Sequence, residues 1–106
     1  MTPAVANDLP IGRPFDCAFG PFVPRLTFLS ASALQLDIPT PNGTVTQTVP
    51  FEATRIGPSM VLLSWAESDG TVVVHLQDYG TLQVASHARL ADGTLMRSVG
   101  TIAWAT

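Results

Sequence analysis

Residues 63–77 read Leu-Ser-Trp-Ala-Glu-Ser-Asp-Gly-Thr-Val-Val-Val-His-Leu-Gln. Two apolar runs flank Ser68-Asp69-Gly70, where glycine supplies positive φ and aspartate bonds its own backbone, so the stretch predicts an antiparallel hairpin. If the connection is a three-residue loop with a bulge, Glu67 stands opposite Thr71 and side-chain parity carries across the turn. A two-residue loop would invert that parity and scatter the polar groups.

The same signal recurs outward along the chain. Ala91-Asp92-Gly93 is a second strong turn and Asn42-Gly43 a third, with Gly20-Pro21 and Tyr79-Gly80 weaker. Gly, Pro or Asp-Gly interrupts every stretch longer than about 12 residues, which leaves little room for a helix. Strands are expected near Pro14–Phe19, Val23–Leu29, Ala33–Ile38, Val45–Arg55, Met60–Glu67, Thr71–Gln77, Leu82–Leu90 and Thr94–Trp104. Consecutive hairpins of this kind predict an all-β fold, a small antiparallel up-and-down barrel of about eight strands that removes exposed edges by closing on itself. Pro24 and Pro50 demand an edge or a bulge. Residues 1–10 are expected to form a flexible N-terminal tail and residues 11–106 a single domain.

With 106 residues, 46% hydrophobic and only 12% charged, the chain is too apolar for disorder and unusually poor in charge for a lone monomer. A homodimer is therefore expected to cover part of its surface. The net charge of −3, five scattered arginines and no lysine exclude a basic stripe for nucleic acid, and without lysine there is no Schiff-base chemistry. No apolar run reaches the ~20 residues of a membrane helix, and Met1 to Pro10 lacks the order of a signal peptide, so a cytoplasmic protein without a membrane partner is expected. Without that signal, Asn42-Gly43-Thr44 reads as a turn rather than a glycosylation site. Cys17, the single cysteine, can form no internal disulfide and reads as a small buried apolar residue.

Parity sorts the second half into two faces. Even positions are almost uniformly apolar (Leu62, Val72, Val74, Leu76, Val84, Met96, Ile102), whereas odd positions mix Leu63, Trp65, Val73 and Gln77 with Glu67, His75, His87 and Arg97. If parity holds across both Asp-Gly turns, Trp65, Glu67, His75, His87 and Arg97 share one face. On a concave apolar surface they would suit proton transfer: histidine titrates near neutrality, burial raises a glutamate toward it, and arginine holds a carboxylate or oxyanion. The alternative is an even-numbered core with these groups in solvent. Tyr79 at a barrel rim would add a hydrogen-bond donor. His75, His87 and Glu67 lie on different strands without a ligand-spacing motif, so no metal and no cofactor is assigned. There is no phosphate-binding glycine loop and no GxSxG elbow.

The run Leu63 to Asp78, together with Ala91 to Thr101 and Arg25 to Ser30, resembles MoaF-like proteins, small lipocalin-like (calycin-type) barrels related to a molybdenum-cofactor-associated protein. The resemblance implies an interior pocket into which Trp65, Glu67 and His75 point. It does not imply molybdenum-cofactor chemistry, because a family carries its fold further than its function. The function expected first is binding of a small apolar or carbonyl-containing ligand, anchored by Trp65, Leu63, Val73, Gln77, His87 and Tyr79. The alternative is a cofactor-free isomerase, cyclase, dehydratase or decarboxylase using Glu67, His75 and Arg97 on a small carbonyl compound. A third is a structural domain whose second apolar face is an oligomer interface.

Overall fold

The structure, a computed structural model, describes residues 9–105; most of the expected tail, residues 1–8, lies outside the described residues, as does residue 106. Eight strands follow in order: β1 (Phe15–Ala18), β2 (Arg25–Phe28), β3 (Ala33–Thr40), β4 (Gly43–Arg55), β5 (Met60–Ala66), β6 (Val72–Asp78), β7 (Gln83–Arg89) and β8 (Leu95–Trp104). Each pairs antiparallel with the next, and β8 returns to β1, so the up-and-down barrel is closed. All eight lie within a few residues of the expected strands. Among the described residues no helix is long and apolar enough to cross a membrane.

Pro50 sits inside β4 without breaking the barrel. Its position marks a change of partner: pairing with β3 ends at Ala33↔Pro50, and pairing with β5 begins at Phe51↔Trp65. Proline is tolerated there because no ladder bond needs its missing N–H.

The core is one apolar cluster inside the barrel, built from Phe15, Cys17, Leu26, Phe28, Leu34, Leu36, Val61, Leu63, Val84 and Ile102 among others. One end is filled by aromatic rings. Phe15 stands 5.9 Å from Phe28, 6.1 Å from Tyr79 and 5.6 Å from Trp104, in tilted or edge-on geometries, and the Arg13 guanidinium lies 4.1 Å over the Trp104 ring. Leu9, placed in the tail by the sequence reading, is buried with this core, and the Gly12 N–H donates to the Phe28 carbonyl. Cys17 is buried as expected; the loss of hydration pushes its thiol up to about 12, leaving it inert.

Turn lengths decide which residues face inward. The Ser68-Asp69-Gly70 connection has three residues: Glu67 N–H donates to Thr71 O at 2.7 Å, and Gly70 adopts φ +93°. Parity therefore carries from β5 to β6, and Leu63, Trp65, Val73, His75 and Gln77 all point into the barrel. The next connection, Tyr79 to Leu82, has four residues between the pair Asp78↔Gln83, with Leu82 at φ +58°. Parity inverts there. Val84, Ser86 and Ala88 of β7, and Ser98 and Ile102 of β8, face inward, while the pair His87↔Arg97 projects from the exposed outer surface. Neither an odd-numbered interior nor an even-numbered core describes all four strands.

Candidate functional site

The barrel end opposite the aromatic cluster opens into a cavity of about 340 Å³. Its walls come from the β1–β2 turn (Phe19, Phe22, Pro24), from Leu26, Leu36 and Ile38, from Trp65 and Val73, and from Ala88, Leu90 and Met96. Its polar groups are Glu67, Asp69, Thr71, His75, Ser86 and Ser98. The β5–β6 hairpin contributes most of them. Trp65 and Glu67 stand two residues apart on one side of the chain, and the indole Nε1–H donates to Glu67 Oε2 at 3.1 Å. The Asp69 carboxylate caps the turn by accepting the Thr71 N–H at 2.9 Å.

His75 forms part of the floor. Its ring lies 4.7 Å from Trp65 and 5.8 Å from Phe19, edge-on to both. Beneath it runs a chain of bonds along the inward face of β6 and its following turn. The Tyr79 hydroxyl donates to Gln77 Oε1 at 2.7 Å, which turns the Gln77 amide nitrogen toward His75 Nδ1, 3.0 Å away. An amide NH2 only donates, so Nδ1 is the bare acceptor and the ring proton resides on Nε2. Nε2 makes no bond to the described residues, and among them no fully buried side-chain polar atom lacks a partner, so this N–H faces the cavity.

The electrostatics follow from the packing. Burial drives the His75 pKa down to about 4, because the imidazolium would lose its hydration. A proton on Nδ1 would also set two donors against each other across the Gln77 contact. The Glu67 carboxyl is shifted upward, first by burial and further by the Asp69 charge, with the Trp65 hydrogen bond working in the other direction.

The expected site is thus assembled in part. Trp65, Glu67, Val73 and His75 line the cavity, and Gln77 supports it from below. Leu63 points inward but is sealed in the core beneath the cavity. Tyr79 is not at an open rim; it packs in the aromatic end and spends its proton on Gln77. His87 and Arg97 are corrected outright: the four-residue connection puts both outside the barrel, so neither can meet a ligand beside His75. Ser86, Ser98, Ala88 and Met96 take the inward places, and no local signal fixes the length of the Tyr79 to Leu82 loop that puts them there. Among the described residues no three His, Cys, Asp or Glu side chains are grouped so as to hold a metal ion.

A crystal structure from Burkholderia vietnamiensis, described provisionally as a beta-lactamase, has the same fold. It superposes with a TM-score of 0.83 at 16% sequence identity, covering 90% of this chain and 94% of that one. No curated protein matches the chain. A family match spans residues 11–103, with the closed eight-stranded barrel as its structural counterpart, and the chain belongs to the MoaF-like family.

Proposed function

We propose that this barrel binds one small, largely apolar molecule in its open end, with a carbonyl or similar acceptor seated on the Nε2–H of His75. The observation that carries the reading is the Tyr79–Gln77–His75 chain, which presents a fixed donor at the floor of a mostly apolar cavity. A pocket of this kind, mostly apolar with a few placed polar groups, is the usual form of a small-molecule site. Histidine NMR tests it. His75 is expected as the Nε2–H tautomer, and its ring signals should move when a medium-chain methyl ketone is added but not with the alkane of equal length. His87, on the outer wall, serves as the internal control. Unmoved His75 signals at saturating ketone would reject the reading.

Trp65 forms one wall of the cavity, 6% exposed and in contact with His75. Trp65→Ala is expected to weaken ketone binding about tenfold or more, as the loss of one aromatic contact face predicts. Titration calorimetry showing equal affinity would place the ligand elsewhere.

The raised Glu67 carboxyl favours a second reading, in which it exchanges a proton with a bound carbonyl compound while His75 Nε2–H steadies the enolate. Arg97 has no part in it. Of the reactions expected from sequence, isomerisation, cyclisation and dehydration fit such a pair; decarboxylation loses its carboxylate anchor with Arg97 outside. Glu67→Gln would then abolish turnover while the ketone still shifted His75. The description attached to the Burkholderia protein does not carry over. A Ser-x-x-Lys lactamase needs a lysine, which this chain lacks, and a metal-dependent one needs a ligand cluster that is missing among the described residues.

We also infer a homodimer. Leu62, Leu76, Ala85 and Val99 form one cross-strand row over the outside of β5–β8, with Val72, Val74 and Leu95 beside it, and Val99 is 80% exposed. Light scattering is expected to give twice the chain mass, falling to the single mass in Val74→Glu. A clean monomer across dilution would reject the dimer.

A further inference from the structure

We propose that the ligand of this pocket carries a cationic amine, held at the mouth by Glu67 and Asp69 against the aromatic walls, and that the site rejects carboxylates. The inference rests on the pocket reading above and adds the charge of the ligand.

The first ground is where the protein puts its charges. Among the described residues, Glu67 and Asp69 are the charged side chains that line the cavity, and no cation lines it. The chain has no lysine, and its five arginines are all engaged or placed elsewhere. Arg13 lies on Trp104 at the opposite end, and Arg25 forks onto Asp16 at 2.8 and 3.2 Å. Arg55 donates to the carbonyls of Gly57 and Pro58, and Arg89 and Arg97 stand on the exposed outer wall. An anionic ligand would enter a negative mouth with no cation among the described residues to pair it. A carboxylate in such a place costs more than its apolar tail recovers.

The second ground is the state of Glu67 itself. Its carboxyl is drawn partly out of water, one oxygen is tied to the Trp65 indole, and a second carboxylate sits two residues away on the same turn. Both burial and Asp69 oppose its charge. An ammonium group at this position would relieve both, forming a charge-assisted hydrogen bond in a partly dry setting. Trp65, Phe19 and Phe22 line the same opening, and aromatic faces beside an acid are the arrangement that favours ammonium ligands.

The third ground is the far end. His75, 3% exposed, aims its Nε2–H into the cavity and needs an acceptor there. Together the two ends specify a molecule with an ammonium at the mouth, an apolar body along Trp65 and Val73, and an oxygen acceptor at the floor.

Three probes of one chain length separate the possibilities: n-octylamine, n-octanol and n-octanoate, titrated calorimetrically at neutral pH and low salt. The amine is expected to bind about tenfold tighter than the alcohol, the worth of one charge-assisted bond at about 1.4 kcal/mol, and octanoate more weakly than either. Added salt should narrow the gap. In Glu67→Gln, whose amide oxygen can still accept from Trp65, the amine's advantage over octanol is expected to fall to within about twofold. Asp69→Asn should reduce it by a smaller factor, and serves as the reporter if the first variant does not fold. Octanol binding as tightly as the amine, or octanoate binding tighter than octanol, would overturn the amine inference and leave the pocket standing. No binding of any probe, with the His75 signals unmoved, would overturn both.

Discussion

Acidification from about pH 7 to about pH 4 is expected to cost the fold about 3 kcal/mol through His75 alone. The sign follows from burial. The ring is free to take up a proton in the unfolded chain with a pKa near 6.5, whereas in the barrel that value is driven down to about 4. A depressed value means the native state binds protons more reluctantly than the unfolded one. The stability attached to His75 is therefore complete above 6.5 and is lost as the pH falls through the window down to about 4. Glu67 acts in the opposite sense: its raised carboxyl takes up a proton more readily in the folded state, so acid relieves it, but its partial exposure makes that contribution small. Urea unfolding across this window should show the loss in the wild type. His75→Phe should be less stable at neutral pH, because Gln77 loses its acceptor, yet flatter with pH. If both proteins lost the same stability on acidification, the imidazole would have to be hydrated or charged inside the barrel.

The barrel was legible in the sequence because its information is local. Each Asp-Gly turn announces a hairpin, and eight such runs in 106 residues leave a meander as the simple solution. Trp65, Glu67 and His75 were legible for a related reason: one hairpin carries all three, although Asp69-Gly70 fits a two-residue turn as well as the three-residue one that forms. His87 and Arg97 were misplaced because their orientation depends on a connection that announces nothing. Tyr79-Gly80-Thr81-Leu82 contains one glycine, yet the residue that takes positive φ is Leu82, which has no propensity for it. One extra residue in a loop sends every later side chain to the other face until the next even loop restores it. On β5 and β6 the even-numbered Leu62, Val72 and Val74 are as apolar as core residues, and only the register puts them outside. The negative mouth emerged only with register, since it depends on Arg97 being absent as much as on Glu67 being present.

Gly100→Ala is expected to remove about 2–4 kcal/mol of stability and to disturb the cavity, although Gly100 does not line it. β8 and β1 close the barrel through a short seam, Phe15↔Trp104 to Ala18↔Thr101. Gly100 lies just past its last pair, opposite Val84 of β7, and a Cβ there would fall on the Ala18 carbonyl oxygen, with the Ala18 carbonyl carbon at 2.8 Å and the Phe19 ring at 3.0 Å. Those obstacles are mostly backbone. A side chain could swing aside, but β1 is tied on its other edge, where Cys17 N–H donates to Pro24 O and Phe19 N–H to Phe22 O. Relief must come from opening Ala18↔Thr101 and tilting the β1–β2 turn. That turn carries Phe19, which packs 5.8 Å from His75, so strain at the seam reaches the ligand-facing ring. Gly57→Ala is the matched control: its added Cβ would meet Met60 Cβ at 3.5 Å, an ordinary contact, and its stability should stay within about 1 kcal/mol of wild type. Thermal unfolding measures the first effect and the His75 ring signals the second. If Gly100→Ala unfolded like the control while His75 kept its wild-type signals, the β1–β8 seam would be loose enough to absorb a methyl group. The pocket would then owe its shape to the β5–β6 hairpin rather than to closure of the barrel.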